Sequence, residues 1–340
     1  MKKTALPSLH RETIVDPAQI AAFRSNGHTL TRGVLTSEEA SDYREVINEA
    51  AYKYNTETRQ LADRDTYGKA FLQIMNLWES DEKVRQFTLA KRFARIAADL
   101  LGVPNVRIYH DQALYKEPGG GFTPWHQDQY YWPLSTNNTI TMWMPLIDIT
   151  EEMGMLTFAS GSHREGAVKN IAISDESETE LNDYIQQKGY EITRATTMNA
   201  GDATWHYGWT LHSAPGNNSA TTREVMTIIY FADGAKVTEP VNSHQENDRN
   251  RWLQGIKPGE PAASRLNPLL SFLLLLFFFC FGKLSAQDST LRWTSQRAWS
   301  WNNNQPWYCG FNYIPADAIS RPPCPPGMHG HGRQARVTAS

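Results

Sequence analysis

The residues best suited to chemistry are His126 and Asp128, in Trp125-His126-Gln127-Asp128, followed much later in the chain by His212 and then Arg223. Side chains alternate between faces along a strand, so an H-x-D pair presents imidazole and carboxylate side by side. A histidine from a later strand completes a two-histidine, one-carboxylate facial triad. Such a triad binds Fe(II) on one face and leaves positions open for a co-substrate and dioxygen. An arginine downstream can grip the far carboxylate of 2-oxoglutarate through paired, charge-assisted hydrogen bonds. The set implies oxidation driven by Fe(II), 2-oxoglutarate and dioxygen. His206 is a rival third ligand and reads equally well as a packing histidine. His110 and His163 are expected to make structural hydrogen bonds. Trp125, Tyr130, Tyr131 and Trp132 crowd the first ligand segment, and Trp205, Tyr207 and Trp209 the second, as an apolar wall would.

These residues need elements to hold them. Asp16-Pro17 opens a helix that ends near Gly27, and Thr36 with Glu39 forms a capping box for an amphipathic helix reaching Tyr54. Ser80 is expected to cap a further helix stopping at Gly102. From Val106 the pattern becomes strand-like, with short runs at 106–116, 139–149, 155–158, 191–196, 203–206 and 224–231. The acidic stretch 174–187 reads as a lid or surface helix. Helices followed by many short strands imply an α+β fold. Its core would be a double-stranded β-helix, the cupin-like jelly roll, with the N-terminal helices packed on it and a metal site in the barrel mouth.

Over about 15–235 the chain resembles the phytanoyl-CoA dioxygenase family. The resemblance rests on an ordered set of motifs. They are Lys116-Glu117-Pro118-Gly119-Gly120, Trp125-His126-Gln127-Asp128, Met142-Trp143-Met144-Pro145-Leu146, Gly154-Met155-Leu156 with Gly161-Ser162-His163-Arg164, Gly201-Asp202, and His212 through Asn217 to Arg223. The resemblance implies His126, Asp128 and His212 as iron ligands and Arg223 as the anchor of 2-oxoglutarate. Lys116, Gln127 and Trp143 match positions that line the co-substrate pocket in some members. It implies hydroxylation of a C–H bond in a small organic metabolite, with release of succinate and CO2. An intact Asp128 favours hydroxylation, since related halogenases carry Ala or Gly there. The chain departs from the family pattern at Ala214, where Ser or Thr often assists the arginine, at Ser160 in place of Pro, and at Met153 in place of Asn. Two other readings of the same residues are a zinc-dependent hydrolase or lyase and a non-catalytic small-molecule-binding jelly roll.

The 340 residues carry a formal net charge of −3, which argues against a nucleic-acid footprint. The start, Met1-Lys2-Lys3-Thr4-Ala5-Leu6-Pro7, lacks an apolar export core. All three cysteines lie beyond residue 270, which suits a cytoplasmic enzyme. Composition changes near 268. The stretch 269–281 is apolar apart from Ser271, short for a membrane span and closer to a signal-peptide core. Trp/Asn-rich and Pro/Gly/His-rich sequence follows, and 305–315 resembles the start of a secreted glycoside hydrolase. The expectation is an oxygenase domain over 1–268 and a tail over 269–340 that derives from read-through or misassembly. Membrane contact would arise only if 269–281 were a genuine anchor.

Overall fold

The alternation along two central strands sets the architecture. In Thr139–Pro145, Ile140, Met142 and Met144 join one apolar cluster while Trp143 joins another, so successive side chains face opposite layers. In Arg223–Ala232, Met226, Ile228 and Tyr230 face the first layer, and Val225 the second. A strand buried on both faces needs cover on both, and the chain supplies helices on one side and a second sheet on the other.

A computed structural model describes residues 5–11 and 13–271. In chain order the helices are α1 (Pro17–Asn26), α2 (Ser37–Tyr54), α3 (Thr66–Ala70), α4 (Leu77–Ser80), α5 (Glu82–Thr88), α6 (Lys91–Leu101), α7 (Asp175–Lys188) and α8 (Ser243–Arg251). The strands are β1 (His28–Thr31), β2 (Leu72–Met75), β3 (Asn105–Lys116), β4 (Thr123–His126), β5 (Thr139–Pro145), β6 (Ile149–Thr150), β7 (Thr157–Ala159), β8 (Ile192–Arg194), β9 (Thr197–Met198), β10 (Ala203–Tyr207), β11 (His212–Ala214), β12 (Arg223–Ala232) and β13 (Leu269–Ser271). The large sheet runs β1-β10-β5-β12-β3-β13, with β2 also on β3. The small sheet runs β4-β11-β7-β8, and β6 pairs with β9. Every pairing in these sheets is antiparallel.

Phe23, Tyr43, Ile47, Phe87, Phe93 and Ile96 of the N-terminal helices bury against the outer face of the large sheet. Its inner face packs Leu114, Trp143 and Val225 against Leu156, Phe158 and Ala214 of the small-sheet side. This is the expected α+β jelly roll with helices on one side.

Local signals mostly hold. Asp16 caps α1 with Pro17 in its first turn, and Gly27 closes it at φ 82°, where a side chain would be strained. Thr36 and Glu39 complete the capping box of α2. The helix expected from Ser80 to Gly102 is instead two. Asp81, not Ser80, caps α5 through Lys83 N and Val84 N, and an extended Ala90 separates α5 from α6. The break lets Phe87 and Phe93, 4.9 Å apart, both reach the core. The strand expected over 139–149 stops at Pro145, and the acidic stretch forms α7 behind a Ser174–Ser177 cap.

The boundary expected at 268 falls three residues short of the described fold. Leu269, Leu270 and Ser271 pair with Arg107, Val106 and Asn105 at the edge of the large sheet. The rest of the apolar run and tail, and with them the read-through reading, lie outside the described residues. Among the described residues no helix is long and apolar enough to cross a membrane.

Candidate metal centre

His126 ends β4 and His212 begins β11, and the two are direct cross-strand neighbours. Adjacent strands thus set the imidazoles side by side, with ring centroids 4.0 Å apart. Asp128 is not on the strand, as the sequence suggested, but is the first residue of a 3₁₀ turn (Asp128–Tyr131). The extended Gln127 between them keeps the alternation, so His126 and Asp128 still share a face. One ligand atom from each of His126, Asp128 and His212 lies within 4.8 Å of the others.

The hydrogen bonds fix which atoms face the site. His126 Nδ1 sits 2.7 Å from Pro124 O, and His212 Nδ1 sits 2.9 Å from Thr210 O. A carbonyl only accepts, so each Nδ1 carries the proton and each Nε2 keeps a lone pair. Those Nε2 atoms lie 3.6 and 3.7 Å from Asp128 Oδ1. The other carboxylate oxygen, Oδ2, accepts from Thr141 Oγ1 at 2.8 Å and His206 Nε2 at 3.2 Å. His206, the rival ligand, therefore orients the carboxylate from behind. Burial pushes both ligand imidazoles down to about 4, so they are neutral near pH 7. Burial alone would raise the Asp128 carboxyl, but His212, His206 and His126 together hold it well below the usual range.

Arg223 is fully enclosed at the start of β12 and has no carboxylate partner among the described residues. Its Nη1 donates to Gly154 O, its Nε is buried without a partner, and its guanidinium lies 5.2 Å from the Trp143 ring. Burial lowers its pKa to about 9. Opposite it in register on β3 is Lys116, also fully buried, whose Nζ donates to Gly121 O and contacts Thr123 Oγ1. Burial first, and then Arg223, pull the Lys116 ammonium down to about 6. A buried arginine with no carboxylate partner among the described residues, facing a lysine that sheds its proton, forms a site that lacks its counter-charge.

A cavity of about 460 Å³ joins these groups; Trp143, Ala214, Arg223 and the three candidate ligands are on its wall. Gln127 is not. Its side chain bridges Gly166 O, Trp209 O and Val168 N, because it points to the opposite face from its neighbours. The expectation that Gln127 lines a co-substrate pocket is corrected: it ties the 166–168 loop to the ligand segment. Lys116 stands one layer behind the wall, with Thr123 in front of it. Ala214, where the family resemblance implies a hydroxyl, is on the cavity wall. Of the two structural histidines expected, His163 bonds Arg24 O, but His110 is on the cavity wall with Nδ1 unpartnered. Thr141 and the face of α8 were missed. A lone Thr carries no sequence signal, and α8 is polar all round, so it lacks the apolar stripe that marks a packed helix.

The sequence profile described as phytanoyl-CoA dioxygenase (PhyH) matches residues 23–225, more than half of the chain. The chain belongs to the phytanoyl-CoA dioxygenase family. Its relatives include a zebrafish (Danio rerio) phytanoyl-CoA dioxygenase domain-containing protein 1, 28% identical over 71% of this chain and 95% of that protein. An Arabidopsis thaliana phytanoyl-CoA dioxygenase is 25% identical over 54% of this chain, a match spanning only 62% of that protein. In fold, the chain is similar to a non-heme α-ketoglutarate-dependent carbocyclase from nogalamycin biosynthesis, with TM-score 0.64 and 22% identity over 78% of this chain and all of that one. The family is one of iron- and 2-oxoglutarate-dependent oxygenases, and the residues present fit both groups. Two outward-locked Nε2 atoms and one carboxylate oxygen make an open set for iron, and the buried Arg223 awaits an anion.

Proposed function

We propose that this protein is an Fe(II)- and 2-oxoglutarate-dependent dioxygenase that hydroxylates a C–H bond of a small organic molecule. The observation that carries the reading is that the His126–Asp128–His212 cluster shares its cavity with a buried arginine that forms no ion pair among the described residues. Iron with 2-oxoglutarate and dioxygen would supply the oxidation, so that substrate C–H, O2 and 2-oxoglutarate become C–OH, succinate and CO2. His126, Asp128 and His212 would hold the metal on one face. Thr141 and His206 keep the Asp128 carboxylate turned so that Oδ1 faces the histidines. Arg223, held by Gly154 O and the Trp143 ring, would take the far carboxylate of 2-oxoglutarate, and Lys116 would add positive potential behind it. The apolar surround of Trp143, Leu156 and Ile229 excludes water from the reacting centre. A zinc hydrolase or lyase gives Arg223 no clear job, and a non-catalytic binding module would release no succinate.

The test is anaerobic titration of the protein with Fe(II) and 2-oxoglutarate, followed by the visible charge-transfer band of the chelate. Admission of O2 should then release succinate. Arg223→Ala should retain iron and need at least tenfold more 2-oxoglutarate, since losing one partner of a charge-assisted contact costs about 2–5 kcal/mol. No chelate band at any concentration, or an unchanged titration in that variant, would defeat the proposal.

A further inference from the structure

The family match ends at 225, but the cavity does not. Its far wall is built by α8, which contributes His244, Asn247, Asp248 and Arg251. These positions are i, i+3, i+4 and i+7, a single helical face. A helix normally turns an apolar stripe inward, and here the inward stripe is wholly polar. Off that face, Gln245 donates to Tyr130 O at 3.0 Å; on it, the His244 ring meets the edge of Tyr131 at 5.3 Å. His244 and Asp248 thus help to seat the helix, while the stripe they belong to still lines the cavity.

Asp248 is the acidic member of that face. Its Oδ2 accepts from the Tyr109 hydroxyl at 3.0 Å, and no described cation forms an ion pair with it. A β-bulge aims Tyr109 at it: Ile229 pairs with His110 and Tyr230 with Ile108, leaving Tyr109 as the extra residue. Arg251, next in the stripe, stacks instead on the Trp252 ring at 4.2 Å and is exposed to solvent, which screens its charge. The same cavity is lined by the ring systems of Tyr67, His110, Tyr131 and Trp252. Burial raises the Asp248 carboxyl to about 7, and the Tyr109 hydroxyl, Arg251 and Trp252 only partly offset it. A carboxylate with aromatic faces about it in a cavity is the chemistry that selects an organic cation.

We infer that α8 is the specificity element of this cavity and that Asp248 binds the ammonium group of a small amine substrate. This rests on the oxygenase reading above, which places the reacting centre at the other side of the same cavity. The cavity must also hold the co-substrate, so the amine is a compact one whose carbon skeleton lies along Phe71, Met75 and Ile229 toward the metal. The amide pair Gln73 and Gln112, bonded to each other at 2.8 Å, offers a polar contact part-way along.

The test uses the full chain loaded anaerobically with Fe(II) and 2-oxoglutarate, with the chelate band recorded in every sample. The probes are linear alkylamines of about four to eight carbons and benzylamine, each set against the alcohol of the same skeleton. Binding is read from the shift of the chelate band and by calorimetry. Amines should bind at least tenfold more tightly than their alcohols. Asp248→Asn, which still accepts from Tyr109, should keep its melting temperature, iron and 2-oxoglutarate binding while losing that tenfold preference. Equal binding of amine and alcohol, or an unchanged preference in the Asn variant, overturns the inference. Loss of the chelate band itself would instead strike the oxygenase reading, so the two failures are told apart.

Discussion

At the scale of single residues, the structure separates candidate ligands from the groups that aim them. His126, Asp128 and His212 bring donor atoms together, whereas His206 bonds the Asp128 oxygen turned away from the other two and packs its ring 4.3 Å from that of His212. His126→Ala, Asp128→Ala and His212→Ala are each expected to abolish tight Fe(II) binding and turnover. His206→Ala should weaken iron binding by about 10- to 100-fold, the usual range for a residue that orients a ligand, while retaining measurable affinity. Metal titration of the four variants checks this; a His206→Ala protein as metal-free as His212→Ala would make His206 the ligand.

Lys116 gives a pH prediction with a definite sign. Its folded pKa is near 6 against an ordinary 10.5, so between these values the unfolded chain binds a proton that the folded one does not. Stability therefore rises with pH across this window and is lowest below it. Lys116→Met should flatten the dependence of the urea midpoint between about pH 6.5 and 8.5. An anion beside Arg223 would raise the Lys116 pKa again, so 2-oxoglutarate binding near pH 8 should take up as much as about one proton. Calorimetry in two buffers of different ionisation enthalpy measures that number; zero uptake would remove Lys116 from the co-substrate's electrostatics.

At the scale of elements, short connections carry more of the site than the long strands do. Gly154 follows a 3₁₀ turn (Glu151–Met153) at φ 82°, and an added Cβ there would stand 2.5 Å from Pro215 O. Its carbonyl is also the acceptor for Arg223. Gly154→Ala should combine backbone strain of about 1–2 kcal/mol with a shifted arginine. Lower melting temperature together with weaker 2-oxoglutarate binding is the expected pair. A variant with wild-type co-substrate affinity would show that Arg223 needs no such cradle. The 166–174 segment is likewise tied at both ends to the ligand turn, through Gln127 to Val168 N and through Tyr131 Oη to Ile173 N. It places Ala172 and Ile173 on the cavity wall.

At the scale of the whole molecule, the question is where the folded unit ends. Asn267 donates to Ile108 O at 3.1 Å, and β13 continues the contact along β3 to Ser271. A chain ending at Ser271 should match the full chain in melting temperature and in Fe(II) and 2-oxoglutarate binding. A chain ending at Pro268 loses the edge pairing and should melt a few degrees lower, as about 1 kcal/mol does in a protein of this size. Failure of the Ser271 chain to fold would place the boundary further on.

The candidate metal set was legible in the sequence because such a set needs particular residue types, and an extended Gln127 keeps His126 and Asp128 on one face even though Asp128 lies beyond the strand. The ordered motifs around His126, Trp143, His212 and Arg223 also indicated the family, and the caps at Asp16 and Thr36 indicated their helices, since capping is local. The split at Ala90 and the strand β13 were not legible, because they depend on what packs against them rather than on propensity. Nor was the direction of Gln127: its type fits a co-substrate pocket, but the alternation that turns His126 and Asp128 inward turns Gln127 out. Only the tertiary structure shows which of His206 and His212 joins the donor cluster with His126 and Asp128. The pairing of β11 with β4 places His212 opposite His126, while β10 lies in the other sheet and brings His206 in behind the carboxylate. It alone also brought α8, a helix with no apolar stripe and no motif, to the cavity wall. Which residues meet across a cavity is fixed by how the layers close, and no local pattern records that.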